Sequence, residues 1–197
     1  MMWTWRRRYA VLLMLGVLLL TSGPTIVGSV DWDTLFAGEL VVETVQHPDG
    51  FSGLRASFTV TAARERIWAV LVDYVNFPQL FPDIDKMRVL AQDQYGAQVE
   101  FWITAMVAHY HYVLYRHYDE PGRRLTWTRI AGDFKRIEGG WEIRDTPRPE
   151  VHVLVYESYV DIGGVVPAAL VRLAATRKAR ETGERLRHWI EGRPMPE

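Results

Sequence analysis

The chain has 197 residues, 48% hydrophobic and 24% charged, with a formal net charge of −1 and no cysteine. That size and composition fit one globular domain with a single well-buried core. The near-zero charge excludes nucleic-acid recruitment by a global field, and the lack of cysteine excludes disulfides, thiol catalysis, thiolate metal sites and a lipidated cysteine.

Residues 1–29 differ in kind from the rest. Arg6, Arg7 and Arg8 precede an apolar run from Tyr9 to Leu20, which Thr21-Ser22-Gly23-Pro24 breaks, and Val27-Gly28-Ser29 offers small residues for cleavage. This predicts an export signal or, counted through to Val30, an N-terminal membrane anchor. Either places the body outside the cytoplasm, in a periplasm, as a soluble or inner-membrane-anchored domain over 30–192 with a short tail at 193–197.

Asp31 to Gly38 reads as a loop or one helical turn. Glu39–Gln46 and Gly53–Ala62 read as strands of a hairpin across His47-Pro48-Asp49-Gly50. From Ala63 to Val72 the period changes: Ile67, Trp68, Leu71 and Val72 recur at three and four, the spacing of an amphipathic helix. Pro78 and Pro82 forbid a long helix in D-Y-V-N-F-P-Q-L-F-P-D-I, so a short helix and an aromatic loop are expected there. Strands follow over 87–92, 98–107, 110–118, 125–130, 136–144 and 151–160. Gly139-Gly140, inside one of them, reads as a bulge.

Between Val107 and Tyr118 one strand face carries Tyr110, Tyr112, Leu114, Arg116 and Tyr118, and the other carries His109, His111, Val113, Tyr115 and His117. So many rings on one sheet suit an amphiphilic small molecule. After Asp161-Ile162-Gly163-Gly164, Pro167 opens a helix that runs to about Glu191 and stops at Gly192. Ala168, Ala175, Ala179, Gly183, Leu186 and Ile190 form one stripe whose middle is small, leaving volume between helix and sheet. Arg177, Lys178, Glu181 and Arg185 form the opposite, solvated face.

Three motifs then stand in order. V-L-V-D-Y-V-N-F-P-Q-L-F-P-D-I at 70–84 resembles the segment after the first helix in the polyketide cyclase/dehydrase and coenzyme Q-binding families of the START-like (SRPBCC) superfamily. Gly140-Trp141-Glu142-Ile143 resembles that group's Gly-x-Trp strand, and Asp161 to Pro167 its Gly-Gly-x-x-Pro lead into the last helix. The likeness spans roughly 54–192. It implies an α+β helix-grip fold, a curved antiparallel sheet wrapped around a long C-terminal helix, and a hydrophobic ligand such as a lipid or an isoprenoid quinone. The export segment departs from that pattern, and fold likeness fixes no chemistry.

The candidate ligand-binding set is Phe77, Phe81, Trp102, Tyr110, Tyr112, Trp127, Arg129, Trp141, Ala175, Ala179 and Gly183. Phe77 and Phe81, between prolines, are placed at a cavity mouth. Of Phe101 and Trp102 only one can face inward. Arg129, two residues from Trp127, is placed to meet a polar head group, since an inward arginine is costly without a partner. His109 and His111 share a face but no spacing supplies a third metal ligand, so no metal is assigned. No serine has a nucleophile-elbow context, no phosphate loop is present, and no cofactor or catalytic residue is assigned. The leading expectation is a carrier or chaperone of a hydrophobic or amphiphilic small molecule. The alternatives are a cyclase- or isomerase-like enzyme using Glu100, Glu138, Glu157, Arg129 or His111, and a protein-interaction module anchored on exposed Phe77 and Phe81.

Overall fold

The computed structural model describes residues 32–105, 108–162 and 168–196, with the side chains of 168–172 left undescribed. The expected export segment, Met106-Val107, and the Gly163-Gly164 to Pro167 lead-in lie outside the described residues.

Eight strands form one antiparallel sheet in the order β1-β2-β8-β7-β6-β5-β4-β3. They are β1 (Val41–Gln46), β2 (Ser52–Thr61), β3 (Ile84–Gln92), β4 (Gly96–Ala105), β5 (Ala108–Glu120), β6 (Arg124–Gly132), β7 (Arg136–Asp145) and β8 (Val151–Asp161). Helix α1 (Trp32–Phe36) precedes them. Between β2 and β3 lie α2 (Arg64–Leu71), a 3-10 turn at Tyr74–Asn76, and α3 (Phe77–Leu80); α4 (Ala168–Glu191) comes last. The hairpins are local, and the one long-range pairing is β2 with β8, from Leu54 opposite Ser158 to Thr61 opposite Val151. This is the α+β helix-grip architecture, a curved sheet with α4 against it.

Alternation explains which face is buried. On β2, Leu54, Ala56, Phe58 and Val60 point inward; on β4, Ala97, Val99 and Phe101 do so. Helix α2 buries Ile67, Val70 and Leu71 at helical spacing. Pro78 lies in the first turn of α3, where its missing N–H costs nothing. α4 sends Ala179, Leu186 and Ile190 into the same core, and Gly192 at φ 67° ends it.

Two expectations about α4 and β7 change. Arg185, assigned to a solvated face, donates to the carbonyls of Gln79 and Leu80 and so satisfies orphan acceptors at the end of α3. Gly139-Gly140 is not a bulge: both pair in unbroken register with β6 and β8. A Cβ at Gly139 would overlap the Glu157 carbonyl oxygen and approach Trp127 Cζ2 at 2.8 Å. Glycine is there because a neighbouring backbone and an indole leave no room for a side chain.

Candidate ligand-binding site

A cavity of about 590 Å³ lies between α4 and the β1-β2-β8 part of the sheet. Its helix wall is the small stripe: Ala175, Ala179 and Gly183. Its sheet wall includes Leu54, Phe58, Trp141 and Tyr156. The volume falls within the range of roughly 300–1,000 Å³ for small-molecule pockets.

The local reasons for the opening are legible residue by residue. Trp141 and Tyr156 are register partners on β7 and β8, with ring centroids 4.8 Å apart. The Phe58 ring meets Trp141 edge-on at 6.4 Å. These rings build a rigid floor, and three small residues on α4 fail to fill the space above it. Gly183 has a second duty, because a Cβ there would overlap Leu40 Cδ1 and sit 3.3 Å from Phe58 Cε1. Leu40 is fixed in turn by Arg180, which donates to its carbonyl at 2.9 Å.

Polar groups at the cavity rim include Thr182 and Lys178. Lys178 is not simply solvated, as its place in the sequence implied: its Nζ lies 2.7 Å from Asp83 Oδ2, which ties α4 to the loop after α3.

The inward tyrosine face of β5 fills its part of the interior. Tyr112 stacks on Phe101 at 5.1 Å and meets Phe134 edge-on; Tyr110 lies 5.0 Å from Phe134. Phe77, only 5% exposed, packs between Tyr74 and Phe81. It is a core residue, which removes it as an exposed anchor for a protein partner and as a rim residue. Thus Trp141, Ala175, Ala179 and Gly183 line the cavity, while Tyr110, Tyr112, Trp127, Phe77 and Phe81 do not line it and pack in or against the core.

Trp102 and Arg129 sit elsewhere. Phe101 takes the inward position, so the pleat turns Trp102 to the outer face, between Lys86 Nζ at 4.7 Å and the His111 ring at 5.0 Å. Arg129 is exposed and donates to the Gly132 carbonyl at 2.7 Å. Two features explain this: the β5–β6 register shifts at Ile130, and β6–β7 pairing ends at Thr128 opposite Glu138. Beyond that point β6 has no β7 neighbour to enclose it.

The most deeply buried arginine among the described residues is Arg116, on the tyrosine face of β5 and 3% exposed. Its guanidinium carbon lies 5.1 Å from the Tyr74 and Phe77 rings and 5.6 Å from Trp127. Its Nη2 donates to the Leu71 carbonyl at 3.3 Å, and its Nε has no hydrogen-bond partner among the described residues. Burial lowers its pKa, although Tyr74, Tyr118, Tyr112 and Tyr156 favour the charge. A guanidinium stays protonated in spite of such a shift. Burial likewise raises the phenols of Tyr74, Tyr112 and Tyr156. Leu54, Phe58, Tyr156, Lys178 and Thr182 line the cavity and were not selected by sequence reasoning; Arg116 does not line it. For Arg116 a signal existed: it alternates with Tyr112 and Tyr118.

The acid–base candidates face outward. His111 Nε2 donates to Glu100 Oε1 at 2.9 Å, and Arg88 donates to Glu100 Oε2. His111 first, then Arg88, hold the Glu100 carboxyl below its usual range. Glu138 pairs with Arg136 and Glu157 with Arg55, beside a shallower outer groove of about 360 Å³ over Gly139 and Gly140. Among the described residues, no group of three or more His, Asp or Glu could hold a metal.

With this geometry in view, a family model described as polyketide cyclase/dehydrase and lipid transport matches residues 60–187. The sequence matches no curated protein. Its fold is similar to that of a STAR-related lipid transfer protein from Xanthomonas axonopodis, with a TM-score of 0.64 at 19% identity over 77% of this chain and 93% of that one. It is also similar to a START superfamily protein from Mycobacterium smegmatis (TM-score 0.61, 19% identity, 79% and 99% covered). A third is the Zhui aromatase/cyclase of Streptomyces sp. R1128 (0.56, 16%, 77% and 93%). At such identities the structural likeness speaks for the fold, and the match over 60–187 speaks for the family. The chain belongs to the polyketide cyclase/dehydrase and lipid transport family.

Proposed function

We propose that this chain is an exported carrier or chaperone that holds an apolar or amphiphilic small molecule, in the lipid size class, between its sheet and α4. The observation that carries the reading is the cavity of about 590 Å³ under Ala175, Ala179 and Gly183, walled by Phe58, Trp141 and Tyr156. Affinity would come from apolar area removed from water, about 25 cal/mol per Å² before association costs. The family's lipid-transport description and the similarity to a lipid transfer protein agree with this reading. The basic and apolar residues of 1–29 support export, and an isoprenoid quinone is one ligand to try.

The family also includes cyclases. For an acid–base enzyme, Glu100, Glu138, Glu157, Arg129 or His111 would have to reach the cavity; Arg129 is exposed and bonded to the Gly132 carbonyl, and the other four are engaged on the outer face. That favours the carrier reading over the enzyme reading.

Native mass spectrometry of the domain purified from its own host, followed by lipid extraction, tests the proposal. A co-purifying lipid or quinone is the expected result. An empty protein that binds no member of a panel of fatty acids, phospholipids, sterols and quinones would sink it.

A further inference from the structure

The turn between β1 and β2, residues 47–53, stands off the sheet it belongs to. Pairing of β2 with β8 begins at Leu54 opposite Ser158, whereas β8 goes on pairing with β7 as far as Asp161 opposite Arg136. Among the described residues, no strand pairing joins 47–53 to β8. The turn is closed on itself instead, by the His47 N–H to the Phe51 carbonyl and the Gly50 N–H to the His47 carbonyl, both at 2.8 Å. β1 is the edge of the sheet, so no strand holds the turn from its far side either.

Side chains tie the turn down, and most of them converge on Arg136 of β7. Its Nη1 donates to Asp49 Oδ2 at 2.7 Å, its Nη2 lies 3.0 Å from His47 Nδ1, and its guanidinium carbon lies 5.0 Å from the Phe51 ring. Glu138, on the same face of β7, accepts from Arg136 Nε at 2.8 Å and holds the fork in place. Asp49 is oriented in turn. Its Oδ1 accepts the Phe51 N–H at 3.0 Å, and that bond, then Arg136, holds its carboxyl well below the usual carboxylate range. The His47 ring meets Tyr159 of β8 edge-on, with centroids 5.1 Å apart. A half-exposed ion cluster of this kind fixes a turn without locking it, because water and salt compete for every partner.

The turn is also part of the cavity. Gly50 and Ser52, both exposed, line it together with Phe51 and Gly53, so the turn forms its solvent end. The geometry points to a flap: residues 47–53 cover that end, hinge at Gly53 and its partner Val45, are held shut by Arg136, and let the ligand pass when they swing out. This rests on the carrier reading and supplies its route of entry. Gly53 suits a hinge, since a Cβ there would overlap Tyr159 Cδ1 and only glycine brings the chain past that ring where pairing with β8 stops. Opening breaks the contacts of Arg136 and no rung of the β2–β8 ladder, so it is a local event that leaves the core strands intact.

The test follows uptake and release of cis-parinarate, a fluorescent fatty acid, by stopped flow on the wild-type protein, Arg136→Gln, Asp49→Asn and the double variant. Each single variant is expected to raise both rates together by about 5-fold, the order that a half-exposed ion cluster supplies, and to leave Kd nearly unchanged. The double variant should be no faster than Arg136→Gln, because both substitutions undo one clasp. Hydrogen exchange gives a readout that needs no ligand: amides of 50–53 should exchange faster in the variants while those of Leu54–Thr61 keep the wild-type rate. Unchanged exchange at 50–53 overturns the clasp. Faster exchange there with unchanged uptake and release overturns the flap as the route and leaves the carrier reading standing. Faster release alone, with a weaker Kd, overturns it too, making the turn a wall that touches the ligand. If parinarate does not bind, the first member of the lipid panel that does is followed by the fluorescence of Trp141 in the cavity wall. If none binds, the carrier reading falls and the flap with it. Should Arg136→Gln not fold, Asp49→Asn decides alone.

Discussion

Placing a ring where the ligand is proposed to lie separates binding from folding. Ala175 is on the cavity wall rather than in the closed core, so Ala175→Phe should project its ring into open volume. A buried phenyl covers on the order of 150 Å². If half of that is wall the ligand would otherwise touch, the ligand loses roughly 75 Å² of apolar contact, about 2 kcal/mol at ~25 cal/mol per Å². That is roughly a 25-fold rise in Kd. The same ring fills part of a void of about 590 Å³, so the ligand-free protein should gain up to about 2 kcal/mol and its Tm should rise by a few degrees. Displacement of a fluorescent fatty-acid probe measures the first quantity and calorimetry the second. Leu173→Phe, at an exposed position of the same helix, should change neither. An Ala175→Phe protein that melts at or above the wild-type temperature and binds the probe as well as wild type would refute the placement of the ligand.

Three further outcomes follow from the packing. Gly139→Ala should cost about 3 kcal/mol or more by urea unfolding, since its Cβ overlaps the Glu157 backbone; Gly140→Ala, with Leu125 O at 2.9 Å and Thr126 Cγ2 at 3.1 Å, should cost less. An equal cost at both would contradict the strand packing described. Gly183→Ala should lower stability by about 1 kcal/mol even though alanine is the better helix former by about that amount, because overlap with Leu40 costs roughly 1–3 kcal/mol; a stabilised Gly183→Ala would show that Leu40 moves freely. Burial raises the phenol pKa values of Tyr74, Tyr112 and Tyr156 in the folded state. Their contribution to stability is therefore full below the unfolded-chain value near 10 and is lost as pH rises past it. Phenolate absorbance should appear for these residues only together with loss of the folded circular dichroism signal; ionisation in the folded protein well below that point would contradict their burial.

The sequence by itself determined the elements and their order. Period-2 runs located all eight strands to within a few residues, Pro78 and Pro82 confined α3 to Phe77–Leu80, and Gly192 ended α4. Those features depend on neighbours along the chain: pleat alternation, the missing proline N–H, the left-handed glycine. The small middle of the α4 stripe was legible for the same reason, since helical spacing alone places Ala175, Ala179 and Gly183 on one face.

The tertiary structure decided what each face meets. Strand alternation paired Trp127 with Arg129, but a register shift at Ile130 and the early end of β6–β7 pairing left Arg129 in solvent. Alternation also grouped Arg116 with Tyr112 and Tyr118. Its burial comes from Leu71, Tyr74 and Phe77, roughly forty residues earlier in the chain. Trp102 turned outward because Phe101 is the one of the two on the pleat that faces the core. Tyr110 and Tyr112 of β5, on a face rich enough in rings to suggest a ligand surface, pack instead against Phe101 and Phe134. The open volume falls instead where β2 and β8 meet α4, a pairing between segments about a hundred residues apart. No local pattern encodes such a meeting, because the space left in a core depends on side chains contributed from every element that borders it.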